Sequence, residues 1–316
     1  MTGEKTKISI IVPFLNERES LKELYEGLLG AATKLSGDYE MMFIDDGSTD
    51  GSAMVIEEIH GRDNRVKLIQ FRRNYGKSAA LAAGFAEVSG DYVVTIDADL
   101  QDDPDEIPNL IAKLEEGYDL VSGWKKTRRD PFLKRNTSKI YNFFTSFFSG
   151  IRLHDFNCGL KAYRKDVIDS IHIYGELHRY LPVLAHHNGF RVTEIPVKHH
   201  ERKYGQSKFG VARFARGAFD LITVTFLTRY TKRPLHLFGL LGLFSFLLGS
   251  IISLVLAYQR IFFKIYLSNR PLLFLGVLLI IVGVQFISLG LLGEMITAQR
   301  QDTQSFQIKQ TLGLKE

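Results

Sequence analysis

Over roughly the first two hundred residues, short β-branched and aromatic runs alternate with segments whose apolar residues recur at helical spacing. The runs predict strands at Ile8–Val12, Met41–Asp45, Val66–Gln70, Tyr92–Ile96, Leu120–Ser122 and Val192–Ile195. The segments between predict helices over Glu17–Leu29, Met54–His60, Ser78–Glu87 and Glu106–Glu115. Such alternation implies an α/β domain with a largely parallel sheet. In sheets of that kind ligands bind at the carboxyl ends of the strands.

Further along, the period changes. Ile140, Phe143, Phe144, Phe147, Phe148 and Ile151 form one aromatic stripe at helical spacing. Val211, Phe214, Ala215, Ala218, Phe219, Ile222 and Phe226 form a second. A stripe of this kind suits a core face or a bilayer surface. The cations flanking both stripes favour the surface, over residues 132–152 and 209–233. Two uninterrupted apolar runs follow, about 235–257 and 272–293. As helices rising 1.5 Å per residue, each reaches across a hydrocarbon core of roughly 30 Å. A short linker makes them a hairpin. The predicted organisation is thus a catalytic domain over 1–208, an interface helix over 209–233, and a hairpin with a tail over 234–316.

Charge sharpens this division. From Pro234 to Gly293 the charged residues are Arg260, Lys264 and Arg270, with no acid. Residues 1–220 carry 31 basic and 32 acidic side chains, the last 96 carry 9 and 3, so the excess of cations sits at the apolar end. That disfavours a nucleic-acid partner and favours a membrane. Lys and Arg next to the apolar runs, set against three in the linker, orient both termini and the first domain towards the cytoplasm. The lone Cys158 excludes an internal disulfide.

The candidate chemistry sits at predicted strand ends. The first strand ends in Pro13-Phe14-Leu15-Asn16-Glu17, the second in Asp45-Asp46-Gly47-Ser48-Thr49-Asp50-Gly51. The second segment matches a calcium-loop template loosely, but a strand precedes it where an EF-hand needs a helix. A strand-end acid beside a Gly-Ser turn can instead accept hydrogen bonds from a base or a ribose. The blander reading has Asp46 and Ser48 capping the next helix. The fourth strand ends in Asp97-Ala98-Asp99-Leu100-Gln101-Asp102-Asp103-Pro104. Asp97 and Asp99 share one face of an extended segment and repel unless a cation joins them, as a divalent ion on a diphosphate would. Asp102 and Asp103 read as first-turn residues of the helix after Pro104. Gly76-Lys77-Ser78 resembles the end of a phosphate-binding P-loop but lacks its first glycine. The histidines around 186–187 and 199–200 lack zinc-ligand companions and read as structural or surface residues.

Taken in order, the Pro-x-x-Asn-Glu, Asp-Asp-Gly-Ser-x-Asp-Gly and Asp-Ala-Asp-Leu-Gln motifs resemble those of family 2 glycosyltransferases. Asp155-Phe156-Asn157-Cys158-Gly159, Arg202-Lys203-Tyr204-Gly205-Gln206-Ser207-Lys208 and the paired apolar runs are similar to the polyisoprenyl-phosphate group of that family. The resemblance implies a GT-A, Rossmann-like catalytic domain and an inverting transfer of a hexose, with Mg2+ or Mn2+ as cofactor. It implies that Pro13, Leu15, Glu17, Ile44, Asp46, Ala98, Arg202 and Lys208 hold the nucleotide sugar, and that Asp97, Asp99 and Gln101 hold the metal. Asp99 and Asp155 would serve catalysis, Asp155 by orientation or electrostatics. Lys134, Arg135 and Ser138 would meet the acceptor phosphate, joined by Lys125 or Lys126. Where mannose synthases carry Gly-Ser-Arg-Tyr, this chain reads Ser122-Gly123-Trp124-Lys125, which tilts the donor from GDP-mannose towards UDP-glucose. A processive synthase would add spans and a Gln-x-x-Arg-Trp motif. A non-catalytic nucleotide-sugar-binding anchor would not need two uncompensated acids. The sequence leaves assembly into a homo-oligomer open.

Overall fold

The run Lys-Ile-Ser-Ile-Ile-Val-Pro-Phe forms strand β1 (Lys7–Phe14), buried at every position after the first. A strand buried on both faces reads as a continuous apolar run rather than an alternating one. In this computed structural model the residues described are 6–35, 37–126, 149–171, 177–201, 234–266 and 270–299, with Asn142, Thr145, Ser146, Ile173, Gly175, Lys203 and Tyr204. The two expected interfacial helices fall largely or wholly outside them.

After β1 come α1 (Leu21–Ala32), β2 (Asp38–Asp45), α2 (Ser52–His60), β3 (Val66–Gln70), α3 (Lys77–Glu87) and β4 (Tyr92–Thr95). Then follow α4 (Ile107–Glu115), β5 (Leu120–Trp124), β6 (Lys161–Arg164), α5 (Lys165–Ser170), α6 (Leu181–His187) and β7 (Val192–Pro196). The strands make one sheet in the order β3-β2-β1-β4-β6-β5-β7. The pairings are parallel except those of β6, which runs antiparallel between β4 and β5.

Alternate residues of the strands feed two cores. Ile8, Ile10, Val12, Met41 and Phe43 pack with α1, α2 and α4 on one face; Ile11, Met42 and Ile44 pack with α3, α5 and α6 on the other. The result is a three-layer α/β/α unit. From β1 the chain moves outward through β2 to β3, then returns to place β4 on the opposite side of β1. That reversal opens a crevice at the carboxyl ends of β1 and β4, where open α/β sheets bind ligands.

Strand and helix positions agree with the sequence reading, with two corrections. Helix α1 begins at Leu21 rather than Glu17, because Glu17–Ser20 closes a turn: the Ser20 N–H donates to the Glu17 carbonyl at 3.1 Å. Strand β6 and helices α5 and α6 were not expected. β6 is four residues long and has a cation at each end, so it carries neither an apolar run nor an alternation.

The chain forms two compact units, 1–221 and 222–316. In the second unit, α7 (Pro234–Phe263) and α8 (Pro271–Gln299) pack antiparallel, each long and apolar enough to cross a membrane. Both overrun the expected spans, and α7 extends through Phe263 into the expected linker. Glycines allow close approach: a Cβ on Gly249 would lie 2.6 Å from the Gly276 carbonyl oxygen. The Ser245 hydroxyl donates to the Leu279 carbonyl at 2.9 Å. The outward side chains are large and apolar, with Leu240, Phe244, Phe274 and Leu278 among them.

Candidate active site

Asn16 turns the chain at the end of β1 with a left-handed φ of 57°. Its N–H donates to the Ser48 hydroxyl at 2.9 Å, and its side-chain oxygen accepts the Thr49 N–H at 2.8 Å. The Glu17 N–H donates to the Ser52 hydroxyl at 3.0 Å. The first two sequence motifs are thereby stitched into one loop pair. Asp45 is wholly buried and accepts from the Ser48 N–H at 2.8 Å and the Gln70 amide at 3.0 Å. Beside it an open depression is lined by Gly47, Ser48, Thr49, Gln70, Phe71 and Arg72.

Asp46 accepts the Tyr75 N–H at 2.7 Å and the Gly76 N–H at 3.0 Å, tying this loop to the start of α3. Neither Asp46 nor Ser48 caps α2; Gly51 occupies that position, and Asp50 accepts the Ser52 N–H at 2.9 Å instead. Pro13, Ile44 and Ala98 are buried, Ile44 in the core against α3, while Leu15 and Glu17 are half-buried at the rim. The segment that resembled a calcium loop follows strand β2, not a helix.

Beyond β4, Asp97 is one-third exposed and pairs with the Lys77 ammonium. The Gln101 N–H donates to Asp99 at 3.3 Å, and Leu100 between them has a φ of 58°. Gly159 permits this arrangement, since a Cβ there would lie 2.5 Å from the Asp97 carboxyl carbon. The Thr95 hydroxyl donates to the Gly159 carbonyl at 2.9 Å, holding the Asp155–Gly159 loop against the end of β4. Asp155 is 1% exposed and accepts the Asn157 N–H at 3.1 Å. Burial lowers the pKa of the Lys161 ammonium, against the pull of Cys158, Asp155 and Asp97. Burial pushes the Cys158 thiol up to about 12, which leaves it inert as a nucleophile.

Asp102 and Lys125 depart from expectation. Asp103 does cap the turn before α4, accepting the Asp105 N–H at 3.0 Å. Asp102, expected beside it in that first turn, is buried, with the Lys125 ammonium 2.8 Å away and His199 Nδ1 at 3.7 Å. Burial alone would lower Lys125, but the facing carboxylate outweighs it and holds the ammonium well above its ordinary value. Burial would likewise raise Asp102, and Lys125 holds it well below the usual carboxylate range. Lys125, assigned by sequence to the acceptor, is thus committed to an internal pair. Lys126 sits 5.7 Å above the Trp124 ring, whose plane stacks on His154 at 4.2 Å. Segment 197–200 lies along this loop: the His200 N–H donates to the Gln101 carbonyl at 2.8 Å and its ring meets Asp103 at 3.2 Å. Lys134, Arg135, Ser138, Arg202 and Lys208 lie outside the described residues.

Sequence reasoning missed Lys77, Gly159 and Lys161. The Gly-Lys-Ser triplet was a signal for the first. Gly159 stood inside the Asp155–Gly159 motif, but its closeness to Asp97, and the burial of Lys161, come from the fold and no local pattern announces them.

Residues 9–171 match the model of glycosyl transferase family 2. The chain belongs to that family. Over 298 residues it is 36% identical to the dodecaprenyl-phosphate galacturonate synthase of Rhizobium johnstonii, covering 93% of this chain and 88% of the relative. It is also 36% identical, over 321 residues, to the undecaprenyl-phosphate 4-deoxy-4-formamido-L-arabinose transferase of Proteus mirabilis, covering 100% of this chain and 97% of the relative. Among solved structures it is similar to M. tuberculosis glucosyl-3-phosphoglycerate synthase bound to Mn2+, UDP and phosphoglyceric acid. That match has a TM-score of 0.53 at 18% identity and covers 71% of this chain and 78% of that one. The mannosyl-3-phosphoglycerate synthase of Rubrobacter xylanophilus gives 0.54 at 15% identity, covering 70% and 73%. This family 2 glycosyltransferase therefore has the GT-A fold, followed by two apolar helices.

Proposed function

We propose that the enzyme moves a hexose from a nucleotide sugar, UDP-glucose first among them, to a polyisoprenyl phosphate at the cytoplasmic face of a membrane. The observation that carries this reading is the pair Asp97 and Asp99 after β4, at the switch point of the sheet. The full-length relatives, named for dodecaprenyl and undecaprenyl phosphate, support the acceptor class. The apolar hairpin supports presentation of that acceptor at a bilayer.

The residues fit a divalent cation. Gly159 leaves room for the Asp97 carboxylate, and an ion held by Asp97 and Asp99 would take its remaining oxygens from substrate phosphates. Asp97, Asp99 and Gln101 would hold Mg2+ or Mn2+, which would neutralise charge on the departing diphosphate. The 47–49 and 70–72 walls would take the base and ribose, with Glu17 and Asp46 at the rim. A phosphate monoester has its second pKa near about 6 and is mostly dianionic at neutral pH. It attacks the anomeric carbon directly, inverting it, without a general base. Asp155, buried and hydrogen-bonded to its own turn, then orients the loop beside Asp97 rather than taking a proton.

The donor is tested by a panel of UDP-glucose, GDP-mannose, UDP-galacturonate and a 4-formamido-arabinose nucleotide. Label should enter a lipid-linked product best from UDP-glucose. Preference for UDP-galacturonate would align the enzyme with its Rhizobium relative and overturn the donor assignment. Preference for GDP-mannose would favour the mannose-synthase alternative.

A further inference from the structure

Asp97 already has a cation. Lys77 opens α3, and its position is fixed from the other side of the crevice: Asp46 holds the N–H groups of Tyr75 and Gly76 at 2.7 and 3.0 Å, and Gly76 turns with a φ of +92°. From there the Lys77 ammonium reaches the Asp97 carboxylate. The two side chains are 32% and 34% exposed, so the pair faces the open crevice rather than the core. A lysine at the first position of a helix works against the helix dipole, and the first turn of α3 holds no acid to offset it. Helix stability therefore does not explain Lys77, whereas a neighbouring carboxylate does.

An ammonium in contact with Asp97 and a divalent cation on the same carboxylate repel each other strongly. We propose that Lys77 is a built-in counter-ion that holds Asp97 until a metal arriving with the nucleotide displaces it, so that metal and nucleotide load together. This rests on Asp97 and Asp99 being the metal site. Free metal must break the Lys77–Asp97 pair without recompense. Metal with a nucleoside diphosphate brings anionic oxygens for the released ammonium, so each ligand strengthens the other.

The test is direct Mn2+ binding to the full chain in detergent, read by electron paramagnetic resonance with and without UDP. Lys77→Gln should bind Mn2+ alone about fivefold more tightly than the native protein, the size a partly exposed ion pair can supply. It should also lose most of the strengthening by UDP. Lys77→Arg, which keeps the charge, should behave as the native protein does. Equal or weaker Mn2+ binding by Lys77→Gln, with Asp99→Ala abolishing binding in both backgrounds, overturns the counter-ion role while sparing the metal site. Mn2+ binding that survives Asp99→Ala, or fails in every form even with UDP, overturns the metal site and the counter-ion role together.

Discussion

Lys125 keeps its charge inside the protein only because Asp102 faces it. Removing one member of a buried pair leaves the other uncompensated, at a cost of about 3–5 kcal/mol, whereas removing both is often nearly neutral. Lys125→Met is therefore expected to lower the unfolding midpoint sharply, and Lys125→Met with Asp102→Leu to recover most of it. Equal midpoints for the single and double variants would contradict the pairing. Glu40, buried on β2, is instead held by several hydrogen-bond donors at once. It accepts from the Ser9 hydroxyl at 2.6 Å, the Ser89 N–H at 3.0 Å and Lys67 at 2.7 Å. Burial alone would raise it, but these bonds bring its pKa from 4.5 to about 2. A depressed folded pKa stabilises above the unfolded value and fades as pH falls, here between 4.5 and about 2. Acid titration of stability should be steep in that window for the native protein and flatter for Glu40→Gln. Parallel curves would sink this assignment.

Elements were legible in the sequence where burial left a plain pattern. The strands β1, β2 and β4 are apolar runs, and α4 buries Ile107, Leu110, Ile111 and Leu114 at helical spacing. The strand-end motifs needed only the rule that α/β sheets bind ligands there. β6 was hidden because Lys161, a buried cation, breaks its run. The Asp102–Lys125 pair was hidden because the partners stand 23 positions apart and only the fold brings them together. In the hairpin, the spacing of Gly242 and Gly249 against Gly283 and Gly276 reads as close packing once the antiparallel register is known. Gly249→Leu should splay the two helices and lower the thermal midpoint of the second unit in detergent by several degrees. An unchanged midpoint would mean the glycines are not the contact.

At the scale of the whole molecule, a near-neutral catalytic unit is joined to a cationic, apolar one. The orientation we propose puts the 264–270 loop outside and both termini inside. Cys158 is buried and its thiol resists ionisation, so single cysteines placed elsewhere report without background. Ile265→Cys should react with a membrane-impermeant maleimide in intact cells, and Ser305→Cys only after lysis. The reverse pattern would invert the topology. Sugar transfer to a lipid phosphate is tested most directly by supplying labelled nucleotide sugars and Mn2+ to purified native protein and Asp99→Ala with polyprenyl phosphate. The native protein should form a lipid-linked sugar phosphate from at least one donor, and Asp99→Ala, still membrane-inserted, should form none. Failure of the native protein with every donor, or full activity of Asp99→Ala, would contradict it.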